Sequence, residues 1–280
     1  MKKYRQSQRL ILLSVILSLC AFLIAWFFWN EAIHSVNLGY HYGFIGRGGV
    51  FKYHSIHLNS HTISLYWLMH LVGIVFMCVL NLYRRKQYKI GAMHAVITAL
   101  LSAVSGFIGA KLLYILENIQ QILVSGIQFG GVSFFGALFI IPAAVWMIQK
   151  LLRIHNPLFL DYCVPSALLM LGMIRIGCFL NGCCSGIHLT VNGNYCVVPV
   201  QLLECGFDFL ILAYMLYSEI HHIYTGKHYP LLLLGYGTVR FLLEFLRSTP
   251  KVWIGFSNGQ CFALLAIAVG MILWQSKKQV

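Results

Sequence analysis

Arg175 stands inside an apolar run and is followed within eleven residues by Gly177, Cys178, Asn181, Gly182, Cys183, Cys184 and Gly186. Burying an arginine in hydrocarbon costs roughly 2.5 to 3.5 kcal/mol, so Arg175 is expected to face protein or a wet cavity and to hold something anionic. A guanidinium keeps its charge when desolvated and grips phosphate or carboxylate oxygens with two parallel bonds. The glycines at 177, 182 and 186 let backbone approach such an anion closely.

A second constellation lies in residues 229–247, where Tyr236, Arg240 and Glu244 follow one another at intervals of four. That spacing puts all three on one helix face, with Tyr236 able to donate to a substrate oxygen and Glu244 able to orient the guanidinium. The alternative is that Arg240 and Glu244 merely neutralise each other inside a helix bundle. Arg240 is about ten residues into its run, roughly 15 Å along a helix, which places it near mid-membrane. Lys111 is a third cation within an apolar run, and it either meets substrate or snorkels outward. Gln201 and Glu204 open another run and either line a cavity or cap a helix. For Glu204, an acid near a helix N-terminus is explanation enough.

The elements that must position these groups are membrane helices. Of the 280 residues, 59% are hydrophobic and 10% charged, and the mean hydropathy is +0.77. The formal net charge of +13 is carried in short clusters between apolar runs. Such clusters fit anchoring to anionic headgroups and no nucleic-acid partner, which would need a continuous basic stripe. Eight runs approach the length of about 20 residues that crosses the hydrocarbon, near 9–29, 62–82, 92–116, 132–149, 158–180, 201–220, 229–247 and 256–275. The expected fold class is all-α, a polytopic membrane helical bundle of about eight transmembrane helices. Residues 1–61 form an N-terminal anchor helix and external loop, and residues 62–280 a seven-span membrane domain.

Lys2, Lys3, Arg5, Arg9, Arg84, Arg85, Lys86, Lys89, Lys150, Arg153, Lys227, Lys277 and Lys278 all fall on one side of such a bundle. Only Arg47, Lys52, Arg247 and Lys251 fall on the other. Both termini are therefore expected in the cytoplasm of a bacterial plasma membrane, with the loop after Arg175 facing outward. A cleaved signal peptide is the weaker reading of the first run, which is long and ends in Trp26-Phe-Phe-Trp29 without small residues.

Cys20, Cys78, Cys163, Cys205 and Cys261 lie in apolar runs, where cysteine serves as a small hydrophobe. Cys178, Cys183, Cys184 and Cys196 cluster at the outward end of residues 158–180 and in the loop beyond. An external disulfide, a reactive thiol and plain packing compete there. Adjacent Cys183 and Cys184 are poor partners for each other, which leaves Cys196 as the expected partner of one of them. His34, His41, His54, His57 and His61 match no compact zinc motif. No metal and no cofactor is expected.

Residues 172–186 resemble the signature of bacterial prolipoprotein diacylglyceryl transferases: arginine, any residue, Gly, Asn, Phe, an apolar residue, Asn, any residue, Glu, two variable residues, Gly. Arg175, Gly177, Phe179, Asn181 and Gly186 match. Further similar segments follow in the family's order: Leu65-Tyr-Trp-Leu-Met69, Gly109-Ala-Lys-Leu-Leu-Tyr114, Gly130-Gly131-Val-Ser-Phe-Phe-Gly136, Asp161, Pro199-Val-Gln-Leu-Leu-Glu204, Tyr236 to Arg247 and Ser257-Asn-Gly-Gln260. The family is taken to have seven spans with its C-terminus inside, so one prefixed helix moves the N-terminus to the cytoplasm.

The resemblance implies transfer of a diacylglyceryl group from phosphatidylglycerol to the lipobox cysteine of a prolipoprotein, whose signal peptide is then the second partner, at the outer leaflet. It implies catalytic roles for Arg240, Tyr236 and Arg175. It implies substrate binding by Arg175, Asn181, Gly186, Glu244, Lys111, Gly131, Gln201 and Glu204. Three departures stand out: Phe135 replaces a functional histidine, and Cys178 and Cys183 replace the signature's Asn and Glu. His188 is the substitute base that the sequence offers. The other class of function compatible with these departures is a catalytically silent lipid-binding or lipid-translocating protein, or a transferase acting on a different acceptor.

Overall fold

The computed structural model describes residues 55–58, 61–119, 122–123, 131–191, 194–247, 249–250 and 255–276. Residues 9–29 and nearly all of the histidine-bearing stretch lie outside this set. Among the described residues, seven helices are long and apolar enough to cross a membrane. They are α1 (Leu65–Arg84), α2 (Ala92–Glu117), α3 (Phe134–Leu151), α4 (Phe159–Leu180), α5 (Val200–Ile220), α6 (His228–Leu243) and α7 (Asn258–Ser276). A single 3-10 turn, Glu244–Leu246, extends α6. Among the described residues two strand pairs decorate the bundle: β1 (Ser55–Leu58) with β2 (His61–Ser64), and β3 (His188–Val191) with β4 (Asn194–Val197). The protein is a multi-pass membrane helical bundle, as its composition requires.

Helix α4 runs through the centre and is the span most enclosed by the others. Its buried residues run almost without interruption from Phe159 to Leu180. The outer helices instead present large apolar side chains to the surroundings, such as Trp67, Leu71 and Val75 on α1 and Leu265 and Ile272 on α7. In lipid these exposed faces carry no penalty, and packing relies on close approach of small residues. Gly109 of α2 and Gly136 of α3 lie backbone against backbone, with no room for a Cβ at either position.

The spans alternate in direction, so the ends of α2, α4 and α6 gather with the starts of α3, α5 and α7. Ser133, before α3, hydrogen-bonds Glu117 at the end of α2 at 3.1 Å. Gly186, beyond α4, bridges to Arg247 beyond α6. The opposite end carries Arg85, Lys86, Lys89, Lys150, Arg153 and Lys227.

Arg84 corrects one expectation. It is fully buried rather than seated among headgroups. Its guanidinium meets Glu219 of α5 at 2.6 Å and donates to the carbonyl oxygens of Tyr162 at 2.6 Å and Asp161 at 3.0 Å on α4. A cavity of about 600 Å3 lies at this same end, lined by Tyr88, His94, Arg153, Asp161 and His228 among others.

Candidate active site

At the other end, Arg175 in the last turns of α4 meets Glu204, which lies one turn into α5, at 2.8 Å. Tyr236 of α6 donates its hydroxyl proton to the same Glu204 oxygen at 2.9 Å and accepts from Arg175 at 3.3 Å. The second Glu204 oxygen takes Arg240 at 3.4 Å. Two guanidiniums from different helices are thus held on opposite oxygens of one carboxylate, all of them buried. Glu204 is the hub of this cluster and not merely a helix-start acid. Its three partners come from two other helices, a long-range convergence that local sequence does not carry.

Arg240 also pairs with Glu244 at 2.9 Å. Glu244 is fixed in turn by the hydroxyls of Thr249 at 2.7 Å and Ser257 at 2.9 Å, and Arg247 stands 3.7 Å away. Arg240 lies farther along its span than the expected middle. Helix α6 stops at Leu243, so Arg240 sits in its last turn, toward the loop end of the span. Three guanidiniums thus converge on the two carboxylates of Glu204 and Glu244, and Arg175 Nε is buried without a hydrogen-bond partner among the described residues.

Asp208, one turn deeper on α5, is buried with neither carboxylate oxygen hydrogen-bonded, and sequence reading missed it. Its signal was available as an acid four residues after Glu204 in an otherwise apolar run.

The remaining candidates divide. Gln201 hydrogen-bonds the carbonyl of Cys183 at 2.6 Å and pins the turn after α4. Asn181 caps α4, its backbone N–H on Gly177. Gly186 packs so tightly that an added Cβ would stand 2.6 Å from the carbonyl oxygens of Leu246 and Val198. Lys111 reaches the carbonyl of Gly131 at 3.3 Å and lies over the Tyr114 ring at 4.9 Å, so these two candidates meet each other. Phe135 is buried, with its ring 5.9 Å from that of Tyr236 and 5.7 Å from that of Phe262. No proton acceptor stands at that position. His188 falls in β3, and its side chain lies outside the described residues.

The cysteines correct another expectation, because Cys183 and Cys184 are free thiols and no bridge joins Cys183 to Cys196. The sulfurs of Cys178, Cys183 and Cys184 instead lie within 4.8 Å of one another. The hydrogen bonds of Cys178 and Cys183 hold Cys184 well below the ordinary thiol range. Burial of the sulfur opposes them, and Arg175 and Arg247 add attraction.

The sequence model of the family described as prolipoprotein diacylglyceryl transferase matches residues 54–276. Among similar proteins is the phosphatidylglycerol–prolipoprotein diacylglyceryl transferase of Clostridium tetani, 28% identical over 226 residues, 75% of this chain and 91% of that protein. The protein of the same description from Vibrio cholerae is 30% identical over 249 residues, 78% of this chain and 89% of its own length. That from Dehalococcoides mccartyi is 25% identical over 244 residues, covering 79% and 93%.

Proposed function

The chain belongs to the prolipoprotein diacylglyceryl transferase family, and we propose that it transfers a diacylglyceryl group from phosphatidylglycerol to the lipobox cysteine thiol of a prolipoprotein. The observation that carries this reading is the convergence of Arg175 and Arg240 on Glu204 and Tyr236. Two guanidiniums fixed side by side are suited to a phosphodiester headgroup, and Arg175 Nε is a donor with no hydrogen-bond partner among the described residues.

In this reading Arg175 and Arg240 hold the phosphate, and the acceptor thiolate forms a bond to the adjacent glyceryl carbon. The carbon–oxygen bond breaks as the sulfur–carbon bond forms, and its electron pair leaves on glycerol phosphate. Charge develops on that oxygen in the transition state, where fixed guanidiniums and the Tyr236 hydroxyl stabilise it without reorganising. Glu204 and Glu244 keep both guanidiniums aimed. Asn181, Gly186 and Gln201 shape the loop that closes over them, and Lys111 with Gly131 flanks the lipid's path.

The basic residues Arg85, Lys86, Lys89, Lys150, Arg153 and Lys227 at the far end support a cytoplasmic placement for that end. The arginine cluster then opens to the outer leaflet of the bacterial plasma membrane. The anchor helix proposed for residues 9–29 brings the N-terminus to the cytoplasmic side beside the C-terminus and precedes the seven-span domain of residues 62–280.

The test is transfer measured on Arg175→Ala and Arg240→Ala in protein that still inserts and accumulates. Each is expected to abolish turnover. Lysine should rescue poorly, because a point charge cannot reproduce two parallel bonds. Turnover near the unsubstituted level in either alanine variant removes that arginine from the reaction.

A further inference from the structure

The thiols of Cys178, Cys183 and Cys184 are brought together by the way α4 ends. Cys183 N–H bonds the carbonyl of Cys178 at 3.1 Å, and Gly182 N–H bonds that of Phe179 at 3.0 Å. These are the paired bonds of a Schellman ending, with Gly182 in the left-handed conformation at φ 66°. The motif sets the residue after that glycine against the residue five places earlier, here one cysteine against another. Cys184 is itself left-handed at φ 62°, an uncommon conformation for a side-chain-bearing residue, and its sulfur turns back onto the other two. Gln201 ties the turn to α5.

We propose that Cys178, Cys183 and Cys184 bind one soft divalent cation, zinc being the ordinary occupant, whose fourth position takes the acceptor's cysteine as a thiolate.

Thiolates bound to zinc at about 2.3 Å in a tetrahedron stand about 3.8 Å apart, so a triangle with sides within 4.8 Å needs only a small contraction. Three protein ligands leave a position open, which is the arrangement of catalytic rather than structural zinc. By residue, Cys178 is buried, Cys183 half-buried and Cys184 exposed, with the Cys184 sulfur turned inward toward the other two. A disulfide would join two of the three sulfurs and leave the third without a role.

The site also lies where the reaction needs it. Cys178 follows Arg175 by one helical turn, and Gly186, two residues beyond Cys184, bridges to Arg247. The proposal rests on the transferase reading and supplies what that reading lacks, since Phe135 offers no base. A thiol that coordinates the metal is deprotonated outright, its proton passing to water. The sulfur lone pair then forms the sulfur–carbon bond while the carbon–oxygen bond breaks toward the phosphate held by Arg175. The thioether product is a weaker ligand than the thiolate and departs. No oxidant or reductant enters the balance.

The test uses the full chain, reduced and stripped of metal in detergent, then titrated with Co2+ and followed by thiolate-to-cobalt absorbance. One ion per chain is expected. Cys183→Ser and Cys184→Ser should each weaken binding by more than about a hundredfold, beyond the loss of an outer-shell partner. A lipobox peptide carrying cysteine should shift the cobalt bands, and the same peptide with serine should not. Absence of cobalt binding by the reduced protein overturns the proposal, as does cobalt binding indifferent to the cysteine peptide. Full transfer activity in the metal-free chain removes the proposal and leaves the transferase reading standing. Cobalt binding with the peptide shift but no transfer from phosphatidylglycerol keeps the site and removes that reading instead.

Discussion

Replacing Glu204 by glutamine keeps the shape of the hub and removes its charge. Arg175 at 2.8 Å and Arg240 at 3.4 Å then lose their shared counter-ion in a site where both side chains are about nine-tenths buried. Removing one partner of a buried ion pair costs about 3 to 5 kcal/mol, chiefly because the other charge stays behind uncompensated. Arg240 keeps Glu244, so the lower figure applies, and about 3 kcal/mol is roughly two orders of magnitude in the unfolding equilibrium. An anion bound between the guanidiniums should restore part of it by mass action. The assay is thermal unfolding of the purified chain in nanodiscs of phosphatidylglycerol against nanodiscs of a zwitterionic lipid. Glu204→Gln should be destabilised in both and less so in phosphatidylglycerol, while the unsubstituted chain shows a smaller difference between lipids. An equal loss in the two lipids would refute the idea that these arginines hold a phosphate, and no loss would refute Glu204 as their counter-ion.

A tag inserted near Asn194 should be reached from outside intact cells, and a reporter after Val280 should be cytoplasmic; an inaccessible Asn194 tag overturns the orientation. Arg84→Ala leaves Glu219 buried and unpaired, so it should lower stability by about 3 to 5 kcal/mol on thermal unfolding. Activity per folded molecule should stay unchanged, because Arg84 lies at the opposite end from Arg175. Gly186→Ala should weaken transfer severely, since its Cβ meets two carbonyl oxygens and the Val200 side chain. Wild-type transfer by that variant would show that the loop closes without the Gly186 contact.

The seven spans were legible because hydrocarbon imposes one length and one composition on every crossing segment, and the helices begin and end within a few residues of the runs read from hydropathy. The pairing of Arg240 with Glu244 was legible as well, being a spacing of four on one helix. What sequence misread was everything decided between helices. An arginine at the end of a span looks the same whether it reaches headgroups or, like Arg84, turns inward to an acid on α5. Glu204 looked local because its partners lie on α4 and α6. The cysteines were paired by elimination, whereas the closing turn of α4 sets Cys183 against Cys178. That turn was in principle readable from Asn181-Gly182 at the end of an apolar run.

The enclosure of α4 bears on how the chain is made. Synthesis delivers α4 to the bilayer before α5 exists, so Arg175 enters while Glu204 is still unsynthesised. The helix stays strongly apolar with Arg175 counted, which outweighs a single unpaired guanidinium at insertion. Yet the helix that ends as the centre of the bundle first spends time bordered by lipid, with α1, α2 and α3 alone of the described helices beside it. Its final surroundings arrive with the next helix, α5 following through the segment that carries β3 and β4 and bringing the counter-ion with it. The earlier helices must therefore leave one flank of α4 open until the second half of the protein has been threaded, and the arginine cluster is closed last.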